Sequence, residues 1–286
     1  MINLSVTNLQ KPIRIDQYIV DCAIGFNRSA IRKLIDADKV TCNGIEIKQS
    51  YQVKPNDKIK IDFDLSSLKN FPKISIPIIY EDSNCIVLDK PAGILTHSKG
   101  VFNPEATVAS FIRKKISDEL VGDRAGIVHR LDRPTAGVII CAKNEASQKW
   151  LQKQFALRKV KKTYLAVVSG VVSPNEAIID VPIARDPKNP KKFKPSNLGK
   201  TAQTHYKLIK HNQDYSLLQL YPKTGRTHQI RVHLAHLGHP IIGDHLYSAK
   251  MSDRMYLQAK SLEIILPNHE KKVFESKLPF KFKGLN

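Results

Sequence analysis

The sequence predicts an α+β protein in two parts: a small helix-and-hairpin domain with its linker over residues 1–70, and a larger domain of mixed strands and helices over 71–286. Three observations predict it. Apolar stripes of helical period end near residue 35 and give way to an alternating segment centred on Asn43-Gly44. The stretch DLSSLKNFPKISIP at 64–77, rich in serine, lysine and proline, reads as a linker. Beyond it, strand-like runs are interrupted by two helical segments, at 145–158 and 228–237.

Ile15, Tyr18, Ile19 and Cys22 fall at i, i+3, i+4 and i+7, one face of a first helix. Asn27 can cap a second, with Ala30, Ile31, Leu34 and Ile35 inward, leaving Arg28, Arg32 and Lys33 on the exposed side. KVTCNGIEIK alternates around Asn43-Gly44, a hairpin signal because both turn residues tolerate positive φ. KIKIDF adds a strand with Ile59, Ile61 and Phe63 on one face. In the second part, IIYEDSNCIVLDKPAG gives two strands about an Asp82-Ser83-Asn84 turn, and Asn144 can cap a helix over EASQKWLQKQFALR. KTYLAVVSGVV and LLQLYPK read as strands. ARDPKNPKKFKPSNLGK between them, with three prolines and many lysines, reads as a mobile loop that orders on a phosphate backbone. Thr227 can cap a last helix over HQIRVHLAHL, stopped by Gly238 and Pro240.

Charge narrows the partner. Forty-six Lys and Arg against 26 Asp and Glu leave a net +20, an excess that repels itself and suits a polyanion. Residues 147–200 carry twelve basic and three acidic side chains, against eleven and eight in residues 1–72, so the densest positive field lies in the second part. Nucleic acid is the first candidate. An anionic membrane surface would need a basic amphipathic helix with large apolar groups opposite, and none is evident. No run approaches the roughly 18 apolar residues of a membrane span. MINLSVTNLQKP lacks the pattern of a secretion signal. Four scattered cysteines, Cys22, Cys42, Cys85 and Cys141, argue against a disulfide framework or zinc knuckle and for a reducing cytoplasm.

GIVHRLDRPTAGVII, residues 126–140, sets Asp132 between Arg130 and Arg133 at the mouth of two apolar runs. A solvated turn does not need flanking cations. Burial alone raises an Asp pKa, whereas a neighbouring arginine favours the charged form. TGRTHQIR, 224–231, supplies Arg226 and Arg231 on a separate element, and Arg231 shares a helix face with Ile230 and Leu234. A core-facing cation needs a buried anion, and Asp132 is the natural partner, either as a structural ion pair or as a reactive carboxylate. His228, His233, His236 and His239 crowd one region, but without a His-Glu-x-x-His arrangement capping and packing explain them more simply than a metal site. No G-x-S-x-G, P-loop or dinucleotide fingerprint occurs, so no cofactor is expected.

Residues 13–63, with V-x-C-N-G in place of V-x-V-N-G, resemble the RNA-binding domain of ribosomal-protein-S-four type. DKPAGILTH (89–97), AGIVHRLDRPTAGVIICAK (125–143), QFALRKVKKTYLAVVSG (154–170), GKTAQTHY (199–206) and TGRTHQIRVHLAHLGHPIIGD (224–244) resemble, in order and spacing, the RluA-type family of pseudouridine synthases acting on large-subunit ribosomal RNA. Ala136, Asp89 and Gln258 stand where serine, asparagine and histidine are usual, departures that bear on fine substrate choice. The resemblance implies an α+β catalytic domain with a mixed, mostly antiparallel sheet, and a cofactor-free isomerisation of uridine to pseudouridine within RNA. It implies Asp132 as the essential carboxylate, attacking the sugar, attacking the base or removing a proton, with Arg231 as counter-ion and Tyr164 stacking on the uracil. It further implies that Arg130 fills the space left by an extruded base, that Lys90 and Arg226 contact phosphate or the pocket, and that Arg28, Arg32 and Lys33 grip RNA phosphates. A monomer without membrane association is expected, acting on large-subunit rRNA or its precursor. The same reaction on tRNA is the nearest alternative; a non-catalytic ribosome-assembly protein and a metal-dependent nuclease are others.

Overall fold

A computed structural model describes residues 1–7, 9, 11–22, 28–63, 74–98, 105–120, 122, 124–247 and 252–277. Contacts divide the chain into two units, Met1–Lys73 with Ser98–Ala106 and Gly122–Arg124, and Ile74–His97 with Thr107–Val121 and Ala125–Asn286. Of the linker expected at 64–77, residues 64–73 lie outside the described residues, as does the cap expected at Asn27.

The first unit begins with β1 (Ile2–Ser5), β2 (Ile13–Arg14), α1 (Ile15–Asp21) and α2 (Arg28–Asp36). It continues through β3 (Val40–Cys42), β4 (Ile45–Glu46), β5 (Gln52–Val53) and β6 (Lys58–Ile61). Asn43 and Gly44 both have positive φ, 53° and 80°, and close the β3–β4 hairpin. The sheet runs β1-β6-β3-β4, and Ile15, Ile19, Ile31, Leu34, Val40, Ile59 and Ile61 fill its core with the two helices.

Arg28 and Arg32 do not stand clear as a phosphate grip. Both turn an edge inward to the fully buried Asp16, whose carboxylate accepts from Arg28 Nε at 3.0 Å and Arg32 Nε at 2.7 Å, with Arg14 Nε at 3.2 Å. A buried carboxylate needs cations, and residues four apart on α2 share the face that meets α1. Burial pushes the Asp16 pKa up, but Arg28, Arg32 and Arg14 outweigh it and hold the group at about 2. The arginine side chains stay 43% and 40% exposed, so their outer edges still reach solvent, and Lys33 is exposed.

The second unit comprises β7 (Ile78–Glu81), β8 (Cys85–Lys90), α3 (Val108–Ile112), β9 (Ala136–Ala142), α4 (Glu145–Ala156) and β10 (Lys161–Ser169). Then follow β11 (Glu176–Asp180), β12 (Ile183–Arg185), β13 (Phe193–Pro195), β14 (Gln203–His211) and β15 (Tyr215–Pro222). It ends with α5 (Gln229–His236), β16 (Leu257–Ile265) and β17 (Lys271–Glu275). A mixed sheet runs β11-β14-β15-β10-β16-β9-β8-β7, with β17 added beside β16. Every pairing is antiparallel except β16 with β9. β9 is buried at all seven positions, which explains its unbroken apolar run. At the β9–β16 junction Gly137 has φ 117°, and a Cβ there would overlap the Ala259 backbone, so glycine alone allows this approach.

Two local expectations fail. The basic segment after residue 184 is no loose loop: β12 pairs with β13, and Phe193 packs against a small cluster of Ile183, Ala202 and Val232. Nor does Thr227 cap α5. The helix starts at Gln229, preceded by His228 in the left-handed region (φ 58°, ψ 15°) without a side-chain cap. The Gln229 side chain organises the approach, its Oε1 accepting from Arg226 N–H at 3.0 Å and Thr224 Oγ1 at 2.7 Å. Asn144, by contrast, caps α4 by accepting from Ser147 N–H at 2.9 Å. Among the described residues, no helix is long and apolar enough to cross a membrane.

Candidate active site

The turn that carries Asp132 is pinned from below. Buried Leu131 has both backbone groups on the buried Thr96 hydroxyl, donating to it at 3.1 Å and accepting from it at 2.8 Å. Asp132 O then accepts from Thr135 N–H at 3.1 Å, closing the turn that leads into β9. Three residues earlier, His129 accepts the Ile140 N–H at Nε2 (3.1 Å) and stacks on Phe155. Burial, with Lys162 nearby, pushes this imidazole down to about 3, so it is neutral and serves as a backbone acceptor.

Lys90 is placed otherwise than expected. It is fully buried, and its Nζ donates to the carbonyls of Ile94 (2.8 Å), Pro91 (3.0 Å) and Arg133 (3.3 Å). It therefore stitches the 91–94 loop to the Asp132 turn and presents nothing to a phosphate. Burial drives its pKa down to about 7, the Asp132 charge opposing and Arg133 reinforcing the shift.

Asp132 sits in an open cleft of about 530 Å³, a size within the range of small-molecule sites. Arg231 and Tyr164 line the same cleft. Arg231 is 3% exposed and reaches Asp132 Oδ2 from Nη1 at 3.4 Å. Its main partner is another acid, Asp244, gripped in fork geometry by Nε and Nη2 at 2.7 Å each. Burial opposes the guanidinium charge, and the Asp244 bonds more than offset it, so the pKa is raised. The Arg231 head also lies 5.0 Å from the centre of the Tyr247 ring. The expected cation is thus present, but Asp244 is what holds it, leaving one nitrogen for Asp132.

Tyr164 stands on β10 opposite Leu220 and Ala259. Burial and the Asp132 carboxylate push its hydroxyl pKa up, so it keeps its proton. Lys162, two residues earlier on the cleft wall, donates to Thr224 O at 3.3 Å; burial beside Arg158 lowers it to about 8. Arg130 and Arg226 line the cleft, Arg130 exposed and Arg226 donating from Nε to Thr201 O at 3.0 Å.

The histidine group disperses. His233 lies between Thr204 Oγ1 and Val181 O, His239 faces Ser169 O, and His228 lines the cleft with Nδ1 2.9 Å from Tyr247 Oη and Nε2 3.9 Å from Asp132 Oδ2. The sequence reading missed Asp244, His228, Tyr247 and Lys162 as members of this site. One signal was present: a core-facing arginine needs a strongly bound anion, and Asp244 is the acid that shares the 224–244 motif with Arg231.

Residues 84–236 match the RNA pseudouridylate synthase family, and residues 13–59 match the S4 domain. The chain is 40% identical over 96% of its length to the ribosomal large subunit pseudouridine synthase D of Borreliella burgdorferi, of which it covers 88%. It is 34% identical over 83% of its length to the protein of the same name from Haemophilus ducreyi, covering 73% of it. Among solved structures it resembles human RNA Pseudouridylate Synthase Domain Containing 1 (TM-score 0.61, 26% identity, 73% of this chain and 87% of that one). It likewise resembles Domain Containing 4 (TM-score 0.57, 27% identity, 71% and 88%).

Proposed function

Because the chain belongs to the RNA pseudouridylate synthase family, we propose that it isomerises uridines of large-subunit ribosomal RNA, with Asp132 as the essential carboxylate and no cofactor. The observation that carries this reading is Asp132 in an open cleft with the Arg231 nitrogen 3.4 Å from its carboxylate and Tyr164 on the same wall. The large-subunit target is supported by the names of the relatives at 40% and 34% identity. The reading extends to a cytoplasmic monomer acting on the rRNA or its precursor.

The chemistry asks little beyond position and charge. The bond from uracil N1 to the sugar breaks, the base turns, and C5 joins the sugar carbon; the C5 proton leaves and N1 ends protonated. A carboxylate can attack or take a proton, and Arg231 stabilises it while negative. Tyr164, holding its proton, offers a flat face for the uracil and a hydroxyl donor. A paired uridine must leave its stack to reach Asp132, and exposed Arg130 at the cleft can occupy the vacancy. The test is Asp132→Asn, nearly isosteric and uncharged: pseudouridine formation on a large-subunit rRNA fragment should vanish while RNA binding persists. Turnover by a preparation free of other synthases overturns the reading.

A further inference from the structure

We propose that His228 and Tyr247 act as a positioning pair, presenting an imidazole N–H to Asp132 Oδ2 and so reserving Oδ1 of that carboxylate for the uridine. The proposal rests on the reading of Asp132 as the reacting group.

His228 occupies a left-handed backbone position, uncommon for a residue that is not glycine, directly before α5, yet its side chain caps nothing in that helix. A strained position held by its surroundings invites the question of what the ring does there. Its Nδ1 lies 2.9 Å from Tyr247 Oη, and that same oxygen accepts the Phe193 N–H of β13 at 2.8 Å. With one lone pair already used by Phe193, all three groups are satisfied when the tyrosine proton goes to His228 Nδ1. The hydrogen of the neutral imidazole then resides on Nε2, the nitrogen 3.9 Å from Asp132 Oδ2. Burial keeps this ring below its ordinary pKa, with Arg231 and Arg130 pushing the same way and Asp132 and Asp244 opposing.

Arg231 Nη1 addresses the same Asp132 oxygen at 3.4 Å. Two donors from one short stretch of chain converge on Oδ2, while the Tyr247 ring lies beneath the Arg231 head and bonds to His228, ordering both. A contact of 3.9 Å is longer than a hydrogen bond, and catalytic contacts of this kind shorten when substrate fills a site. Phe193 and Tyr247 pack in one small cluster, which anchors the tyrosine.

The test uses the full-length protein and a large-subunit rRNA fragment, measuring kcat and KM separately with thermal midpoints alongside. His228→Asn tolerates the left-handed backbone and keeps an amide near Nδ1 but cannot reach Asp132. It should lower kcat by roughly tenfold or more, with KM within about twofold. His228→Gln carries an N–H to the position of Nε2 and should recover much of that loss. Tyr247→Phe, keeping the ring under Arg231, should lower kcat by about tenfold. The proposal is overturned if His228→Asn turns over at the wild-type rate, or if Asn and Gln are equally impaired in step with a fallen thermal midpoint. Asp132→Asn, run in parallel, separates the two readings. If it is active, the assignment of the site fails; if it is dead while His228→Asn is unaffected, only the positioning role fails.

Discussion

Asp244→Asn is the sharpest probe of how the cleft is held. The native carboxylate receives two 2.7 Å bonds from Arg231 and a third, at 3.1 Å, from Leu246 N–H. Arg231 is 3% and Asp244 1% exposed, so water cannot replace what is lost. Asparagine keeps the shape but turns an amide donor toward a guanidinium that only donates, and among the described residues the anion then left beside Arg231 is Asp132 at 3.4 Å. Breaking one side of a buried pair costs about 3–5 kcal/mol; the residual Asp132 contact places the expected loss near the lower end, about 3 kcal/mol. Urea denaturation should read it as a shift in midpoint at unchanged slope. Turnover should fall as well, because the guanidinium is drawn fully onto Asp132 and engages the oxygens the reaction needs. Replacing both partners with apolar residues, Arg231→Met with Asp244→Leu, should recover part of the stability but none of the activity. A loss below about 1 kcal/mol in Asp244→Asn would refute the assignment of Asp244 as the anchor of Arg231.

Lys90→Met should leave the Pro91 and Ile94 carbonyls without their side-chain donor, Arg133 O keeping the Gly93 N–H, and destabilise the chain by about 2–4 kcal/mol, while RNA affinity at permissive temperature stays the same; weakened binding without lost stability would restore a phosphate role. Asp16 contributes to acid stability: its folded pKa of about 2 lies below the unfolded value, so its contribution is full above pH 4 and disappears as pH falls through 2. After discounting for the half-exposed arginines the size is on the order of 1–2 kcal/mol, visible as a steeper acid limb in wild type than in Asp16→Ala. Lys33→Ala should weaken RNA binding and reduce the salt dependence by roughly one counterion without touching stability, whereas Arg32→Ala should affect both; identical behaviour of the two variants would count against the Asp16 cluster.

What the sequence revealed follows the range over which each force acts. The Asn43-Gly44 hairpin and the Asn144 cap are set by neighbours within four residues, and both are found where the residue types require them. The meeting of Asp132, Tyr164 and Arg231 was readable because family motifs stand in for long-range contacts. Partner choice was not. Arg231 had two acids to choose from, and only the fold puts Asp244 within 2.7 Å. Lys90 looked like one more cation in a basic chain, although it follows Ile86 and Leu88 at intervals of two on a fully buried strand face, which was the available sign of its burial. Asp16 draws in Arg28 and Arg32 only once α1 and α2 pack, something neither helical stripe announces. The lysines near 190 suggested disorder, but the aromatic ring of Phe193 supplied an anchor that charge counting overlooks.

The parallel seam between β9 and β16 is narrow, two registered pairs with Gly137 nested on Ala259. Asp132 arrives from the β9 side, whereas Arg231 follows β15 on the far side and Tyr164 belongs to β10. The gap between acid and guanidinium therefore depends on how tightly two backbones nest at a glycine as well as on the Asp244 grip that holds Arg231. A single methyl group added there would act on the chemistry from a residue buried within the sheet.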